Sequence, residues 1–298
     1  MESVKRVLVY LSREQGLPQC AKFIQSVTGH FSPAEDQVTV HCHLHSDRLI
    51  LSDSNTHGGS RVLLKRAAQC PISLLRDDQA ARLPAQTCAR GVEVAVAVVL
   101  QSLNDRVLLT RRAAYLHSFP NIWVPPGGHV ELNEELLEAG LRELKEETGL
   151  ELLPGEFTVS TLGLWESVYP PRLSRGLPER HHIVVYLLLR STQRHEQLQA
   201  RLQPCEEEVG ACAWLEHRLV EAIVATPDGN TSPGRARTDL PATLWVKVFR
   251  GDKLQDAELP VSSLLNQEPR GRHDVERVSS GTKFALQVWL SLCREQHT

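Results

Sequence analysis

The sequence lacks the features that mark secreted, membrane-spanning and strongly nucleic-acid-binding proteins. Its seven cysteines are odd in number and include no Cys-x-x-Cys pair, so neither a disulfide framework nor a zinc ribbon is expected. The apolar run near the N-terminus ends at Ser12, too early for a signal peptide, and no run reaches membrane-spanning length. The net charge of -3 provides no general attraction to nucleic acid or anionic membranes. These absences favour a soluble protein of the cytoplasm with access to the nucleus, without DNA or membrane as partners, and they leave the oligomeric state open.

The length predicts a domain of ordinary size with additions, since the chain has 298 residues of which 41% are hydrophobic. Short β-rich runs predict a small α+β N-terminal module over residues 1–89, with a hairpin turn at Ser46 to Arg48. The polar segment 76–90 predicts a linker that crosses the surface. Residues 90–239 then form the main domain, and residues 240–298 form a C-terminal extension with one strand and one helix.

The main domain shows irregularly alternating strands and helices. Val92 to Gln101 is almost continuously apolar, which is typical of a strand covered on both faces. After Gly127 and Gly128 the apolar period changes from about 2 to 3.6, which predicts a helix from Glu135 to Thr148. This alternation predicts an α/β fold, an α/β/α sandwich with a mixed β-sheet. Further strands are predicted at Val107–Thr110, Phe157–Leu164, Ile183–Leu189 and Ala211–Leu215, and a long loop is predicted over residues 225–239.

Three glutamates of the predicted helix share one face. At ~100° per residue, Glu143, Glu146 and Glu147 fall within a wedge of roughly 100°, away from the leucine stripe that runs from Leu137 to Leu144. Like charges at this spacing destabilise a helix by a few tenths of a kcal/mol per pair. A hard divalent cation removes the conflict, because carboxylate oxygens are the ligands that Mg²⁺ and Mn²⁺ prefer. The pattern therefore predicts a Mg²⁺ or Mn²⁺ site suited to diphosphate hydrolysis.

The segment around these glutamates matches a longer pattern. It reads G-x5-E-x7-R-E-U-x-E-E-x-G-U from Gly128 to Leu150 without a mismatch, where U is a bulky aliphatic residue. This resembles the Nudix box, the signature of hydrolases that act on nucleoside diphosphates linked to another moiety. The resemblance extends as a domain over roughly residues 90–239.

The resemblance implies roles for individual residues. Glu143, Glu146 and Glu147 would ligate the catalytic cation, and Glu143 would also assist the attacking water. Arg142 would orient its neighbours through salt bridges, with Glu134 as its partner. The residues implied as additional or indirect metal ligands are Glu134 and Glu208.

The flanks of the box indicate the substrate. LLTRRAAYLHSFPNIWVPPGG before it and GLWESVYPPRLSRGLPERHH after it resemble Nudix members that remove the N7-methylguanosine cap of messenger RNA, releasing m7GDP and 5'-monophosphate RNA. A positively charged methylguanine binds aromatic faces and a carboxylate, which Trp123, Trp165, Glu166 and Tyr169 would supply. Alternatively, the two tryptophans are core anchors. The candidate substrate contacts are Gly127, Gly128, Trp165, Tyr169 and Arg112.

Other activities remain open. Leu108 to Ala113 resembles the start of the signature of coenzyme A diphosphatases, but the chain departs from that signature at His117, Asn121 and Pro125. The motif that follows the box in NADH pyrophosphatases is missing. A third class comprises Nudix domains that have lost catalysis and only bind nucleotides. Such domains usually lack box glutamates, which are all present here.

The alternating histidines His41, His43 and His45 also resemble a metal site. In a strand their side chains would share one face, but no second ligand cluster in the sequence completes a tetrahedral zinc site. We interpret them as a partly exposed strand face.

Overall fold

The computed structural model describes residues 6–14, 16–226, 240–250, 253–269 and 274–295. Its strands are β1 (Leu8–Ser12), β2 (Gln19–Cys20), β3 (Gln37–His45), β4 (Arg48–Ser52), β5 (Ser60–Arg66), β6 (Glu93–Gln101), β7 (Val107–Arg112), β8 (Ile122–Val124), β9 (Gly127–His129), β10 (Phe157–Tyr169), β11 (Arg180–Ser191), β12 (Val209–Leu215), β13 (Thr243–Arg250), β14 (Lys253–Pro260) and β15 (Arg277–Val278). Its α-helices are α1 (Val27–Phe31), α2 (Asp77–Ala80), α3 (Ala85–Cys88), α4 (Leu136–Thr148), α5 (His195–Ala200), α6 (His217–Val224), α7 (Val261–Leu264) and α8 (Ser280–Glu295).

The chain divides into two compact units whose segments interleave along the sequence. The first unit comprises Met1–Ala97, Gly128–Gly140 and Thr161–Tyr186. The second unit comprises Val98–Gly127, Leu141–Ser160 and Leu187–Thr298. The domain limits near residues 90 and 240 stay predictions, because these units follow a different division.

The first unit is built mainly on strands. Its strands follow the order β11-β10-β5-β3-β4-β1, and β1 also pairs with β6 at Leu8 and Glu93. The β3–β4 hairpin turns at Ser46 and Asp47, whose φ angles of 49° and 60° are those that a two-residue hairpin turn requires, so the predicted turn is confirmed. One core cluster of this unit contains Phe23, Cys70, Ile72, Leu83 and Val168.

The predicted linker over residues 76–90 is wrong in part. The segment forms the short helices α2 and α3, and Leu83 between them is buried in the core cluster. A single anchoring leucine produces no apolar period, which is why the sequence pattern indicated a surface linker.

The second unit combines a sheet with most of the long helices. Its strands follow the order β14-β13-β12-β7-β6, and β8 pairs with β7 and in parallel with β15. Helix α8 contributes Trp289, which is fully buried and donates through Nε1 to Gln101 Oε1 at 2.9 Å. Glu276, which precedes β15, accepts a hydrogen bond from Trp123 Nε1 at 2.9 Å. It also forms an ion pair with Arg111 at 3.0 Å. The C-terminal segment thus supplies part of the core of this unit.

The structure confirms an α/β fold with a mixed sheet. Strand β6 is buried at every position except Ala95, which is half-buried, as its apolar run predicts. The C-terminal extension holds more elements than the predicted strand and helix, because β14 pairs with β13 along its length. Strand β14 is largely polar and exposed, so its sequence gives little apolar alternation. Beyond Thr226, the loop predicted over residues 225–239 lies outside the described residues.

None of the helices in the described ranges combines the length and the apolar character that a membrane-spanning helix needs.

Candidate active site

A glycine fixes the C-terminal end of α4, the helix that carries the glutamates. The helix ends at Thr148, as predicted, and Gly149 adopts a φ of 73°. A Cβ atom at this position would lie 2.7 Å from the Cβ of Gln203, so both the backbone conformation and the available space favour glycine. The backbone N–H of Gln203 donates to Thr148 O at 2.8 Å, which ties the end of the helix to the segment before β12.

Glu147 is the buried member of the predicted metal-binding set. Its carboxylate accepts hydrogen bonds from the backbone N–H of Gly127 at 3.3 Å and from Thr110 Oγ1 at 3.4 Å. Burial raises the pKa of Glu147 to about 8, although the Gly127 N–H and the positive charge of Arg112 act in the opposite direction. The positive groups of the protein around Glu147 therefore do not fully compensate its negative charge when it is ionised, and a bound cation would do so.

Glu143 and Glu146 lie nearer to the solvent and share one arginine. The Nη1 atom of Arg142 lies 2.8 Å from Glu143 Oε1 and 3.1 Å from Glu146 Oε2. The side chain of Glu143 is 12% exposed and that of Glu146 is 56% exposed. Burial raises the pKa of Glu143, and the hydrogen bond from Arg142 opposes this rise. The three glutamates thus extend from the interior to the surface.

This gradient corrects the predicted orientation of the helix. Leu137 and Leu141 are only half-buried, whereas Leu144 and Glu147 are buried. Residues three positions apart are separated by about 60° around a helix, so Glu147 shares the buried side with Leu144. The glutamate face and the apolar face therefore overlap instead of standing opposite each other.

Pairing of β7 with β12 adds two charged residues to this group. Arg112 is the register partner of Val209, and the N–H of Ala113 donates to Glu208 O at 2.8 Å. Burial lowers the pKa of Arg112, while the charges of Glu147 and Glu208 raise it. The same negative charge of Glu208 raises the pKa values of Glu143 and Glu147. The late acidic residue and the arginine of the predicted site are therefore electrostatic neighbours of the helical glutamates.

Several predicted site residues belong to the first unit. They are Gly128, Glu134, Trp165 and Tyr169. Glu134 accepts a hydrogen bond from the backbone N–H of Glu131 at 3.0 Å. Tyr169 is half-buried at the end of β10, where its carbonyl accepts from the Glu179 N–H at 2.7 Å.

The aromatic surface for a methylguanine stays a prediction, and two of its three rings are buried in this structure. Trp123 is fully buried, and Trp165 is buried as well. Burial of both rings fits the alternative interpretation as core anchors, because a base can stack only on an accessible ring face. Of the predicted aromatic contacts, Tyr169 keeps the greatest exposure in this structure.

The carboxylate of Glu166 is buried and surrounded by hydrogen-bond donors of the protein. It accepts from the N–H groups of Val27 at 2.9 Å and Thr28 at 2.8 Å, and it lies 3.2 Å from His181 Nε2. Burial by itself would raise the pKa of Glu166, but the hydrogen bonds from His181 and Thr28 lower it to about 2. Satisfied in this way, the carboxylate holds α1 to β10.

Thr110 is a site residue that sequence reasoning did not single out. Its hydroxyl contacts both Glu147 and, at 3.2 Å, the carbonyl of Val124. The only sequence signal was its position in the apolar strand β7, where a polar side chain needs a buried partner.

The donor set suits a hard divalent cation. Glu143, Glu146, Glu147 and Glu208 offer carboxylate oxygens, the ligands that such ions prefer. The buried carboxyl of Glu147, with its raised pKa, gains most from a positive charge. The donor types present therefore fit a divalent metal ion, which would supply a contact for phosphate oxygens.

Comparisons with known proteins agree with this chemistry. The NUDIX domain model matches residues 91–234. The m7GpppN-mRNA hydrolase NUDT17 of Danio rerio is 56% identical over 292 residues, with 97% of both chains covered. The protein of the same name from Xenopus laevis is 51% identical, covering 97% of this chain and 96% of its own. The one from Homo sapiens is 47% identical, covering 96% of this chain and 87% of its own.

Solved structures show a more distant likeness. The MutT protein of Methanosarcina mazei Go1 has 21% sequence identity and a TM-score of 0.32, covering 45% of this chain and 81% of its own. An Ap4A hydrolase of C. elegans has 23% identity and a TM-score of 0.30, covering 43% of this chain and 83% of its own. The identity to relatives along almost the whole sequence carries the conclusion, namely that this chain belongs to the Nudix family of hydrolases.

Proposed function

We propose that this protein hydrolyses the N7-methylguanosine cap of messenger RNA and releases m7GDP and 5'-monophosphate RNA. One observation carries the proposal: four relatives that are 47% to 56% identical across 96% to 97% of this chain bear the name m7GpppN-mRNA hydrolase. The similarity covers almost the whole chain, and it therefore includes the segments on either side of the box from which the sequence predicted the substrate.

The proposed reaction is a hydrolysis of one phosphoanhydride bond. The oxygen of water bonds to one phosphorus of the linkage between m7GDP and the RNA 5'-phosphate. The bridging P–O bond breaks, and the leaving phosphate takes its electron pair. Charge on the phosphate oxygens must be neutralised for this step.

We assign the divalent cation to Glu143, Glu146 and Glu147, with Glu208 and Glu134 as additional or indirect ligands. Nudix hydrolases use divalent metal ions, and we propose Mg²⁺ or Mn²⁺ for this chain. When bound, the ion neutralises phosphate charge and makes water more acidic.

The remaining steps belong to side chains of this protein. Arg142 holds Glu143 through Oε1, which leaves Oε2 of that carboxylate as the acceptor for the proton of the attacking water. Arg112 adds a positive charge beside Glu147 and Glu208, and we propose that it balances the charge of the substrate phosphates. Gly127 directs its N–H at Glu147 and so positions that carboxylate. Tyr169 is the proposed aromatic contact for the methylated base.

A substrate panel tests the proposal. Purified full-length protein is incubated with cap-labelled RNA, coenzyme A and NADH, each with Mg²⁺ or Mn²⁺, and RNA with an unmethylated cap serves as the matched control. We expect m7GDP as the labelled product and its loss on addition of a chelator. Turnover of coenzyme A without release of m7GDP would establish the diphosphatase alternative. Absence of turnover with every substrate would support a domain that only binds nucleotides.

The proposed substrate also suggests where the protein acts. Capped RNA occurs in the cytoplasm and the nucleus, and we propose a cytoplasmic protein with nuclear access. Fractionation of cells that express the untagged chain tests this, and recovery only in the membrane fraction would contradict it.

A further inference from the structure

A second cluster of ligand-type side chains lies in the first unit, apart from the Nudix glutamates in sequence and chemistry. It consists of Glu93 at the start of β6, His129 at the end of β9, and His182 in β11. The His129 and His182 Nε2 atoms lie 3.0 Å apart, and they lie 3.4 Å and 3.2 Å, respectively, from Glu93 Oε2. The Val130 N–H donates to Val94 O at 3.1 Å, which fixes the neighbouring residues His129 and Glu93 beside each other.

These three distances match the reach of a single metal ion. A triangle with these sides has a circumradius of about 1.9 Å, which is shorter than the zinc–ligand distances of about 2.0–2.2 Å for histidine and carboxylate. One ion placed roughly 1 Å above the plane of the three atoms would therefore reach all of them at normal bond lengths. Two imidazoles and one carboxylate are also the ligand set of many zinc sites that keep one position open for water or substrate.

Hydrogen bonds alone account less well for this geometry. Both imidazole Nε2 atoms converge on the same carboxylate oxygen while lying close to each other. If both nitrogens are protonated, their two hydrogens crowd into one small triangle. If one nitrogen is unprotonated, its lone pair faces the carboxylate oxygen. A cation bound to both lone pairs and to the carboxylate resolves this conflict.

The surroundings of Glu93 hold it in position as a ligand. Arg6 contacts Oε1, and the Nε and Nη2 atoms of Arg90 lie 3.2 Å from the same oxygen. The arginines thus engage mainly Oε1, while Oε2 faces both histidines. Hydrogen bonds of this kind orient ligating carboxylates in metal sites. Their positive charges also oppose a cation, so we expect a weaker site than a closed one with four protein ligands.

Burial and exposure are distributed as an open metal site requires. The side chain of Glu93 is 3% exposed and that of His182 is 15% exposed, whereas that of His129 is 53% exposed. Solvent can therefore reach the cluster from the side of His129 and supply a fourth ligand.

We propose that Glu93, His129 and His182 form a zinc-binding site with one exchangeable coordination position. The ion would cross-link β6, β9 and β11 through side chains that come from three distant segments. This inference does not depend on the proposed cap hydrolysis, because zinc binding is measured without turnover.

Zinc content of the full-length, untagged chain tests the proposal. The protein is stripped with a chelator, its exposed thiols Cys20 and Cys88 are blocked with N-ethylmaleimide, and it is equilibrated with Zn²⁺ in excess Mg²⁺. After removal of unbound ions, elemental mass spectrometry gives the zinc per chain. We expect one zinc ion per chain, and His129→Ala should weaken its binding at least ~10-fold without unfolding, because the side chain is half-exposed.

Two control variants separate this site from other donors. His43→Ala/His45→Ala removes a stacked imidazole pair of the same unit and should retain the zinc. Glu143→Gln/Glu146→Gln/Glu147→Gln removes the Nudix carboxylates and should also retain it. Absence of zinc from the unmodified sequence, or undiminished zinc in His129→Ala with a native circular dichroism spectrum, would overturn the proposal. Loss of zinc only in the triple glutamine variant would assign the ion to the Nudix site instead.

Discussion

Replacing Glu147 by glutamine removes one buried charge at nearly constant volume. We expect turnover to fall at least ~100-fold, because the proposed cation loses its most buried ligand. The amide can still accept a hydrogen bond from the Gly127 N–H, so the fold should persist. The informative comparison is therefore between stability and activity, which should change in opposite directions.

The magnitude of the stability change follows from the pKa shift. Burial raises the pKa of Glu147 from 4.5 to about 8, so the folded state keeps a proton that the unfolded state loses between these values. In metal-free protein at pH 7, this difference destabilises the fold by about 3 kcal/mol, at ~1.4 kcal/mol per pH unit above the unfolded pKa. Glutamine does not titrate, so Glu147→Gln should stabilise the metal-free protein by up to that amount.

The pH dependence has a definite sign. The stabilising effect of Glu147→Gln should vanish as the pH falls toward 4.5 and grow until the pH reaches about 8. A divalent metal at roughly 1,000 times its dissociation constant should reverse the order of stability at pH 7, since it stabilises the original protein by about 4.1 kcal/mol and the variant much less, which exceeds the difference between the metal-free proteins.

Chemical denaturation of both proteins between pH 5 and 8, with chelator or with Mn²⁺, measures these effects alongside cap hydrolysis. Glu151→Gln, which alters an exposed carboxylate paired with Lys145, is the matched control. Loss of stability in the metal-free variant, or full turnover with the fold intact, would refute the assignment of Glu147.

Four further substitutions test other parts of the site and the fold around it. Arg142→Ala should lower turnover ~10 to 100-fold by freeing two glutamates, while its exposed counterpart Lys145→Ala should leave turnover unchanged; equal rates in a cap-hydrolysis assay would contradict the positioning role. Trp165→Ala should cost ~3 to 5 kcal/mol in thermal unfolding, as expected for a core ring, whereas Tyr169→Ala should weaken the preference for a methylated cap by ~1 to 3 kcal/mol without such a loss. Gly149→Ala should destabilise the fold by at least ~1 kcal/mol in urea titration, and an unchanged midpoint would show that the helix end adapts.

Local periodicity explains what could be predicted from the sequence. Helix α4 and strand β6 each carry a repeating pattern within one continuous segment, and the structure places both within one or two residues of the prediction. The box spacing likewise identified a set of acidic residues that the fold brings into one electrostatic group. These features depend on neighbours along the chain, which a sequence displays directly.

Features that depend on distant neighbours were not predictable in this way. Burial of Glu147 depends on Gly127 and Thr110, and burial of Trp165 depends on how β10 pairs with β5. The alternating histidines His41 to His45 were the visible local metal-like pattern, but the described cluster joins three segments separated by 36 and 53 positions, from Glu93 to His129 and from there to His182. The spacing of these three residues in the sequence does not indicate that the fold brings them together.

The contacts of Glu276 and of helix α8 limit how far this protein can be shortened. Glu276 binds the indole of Trp123 and the guanidinium of Arg111, and Trp289 of α8 donates a hydrogen bond to Gln101. A fragment trimmed to the family-matched residues 91–234 would leave these interior groups without their partners and exposed to water. Homologous chains should therefore tolerate insertions in their surface loops far more readily than deletion of the tail, and any minimal recombinant version must retain residues through α8.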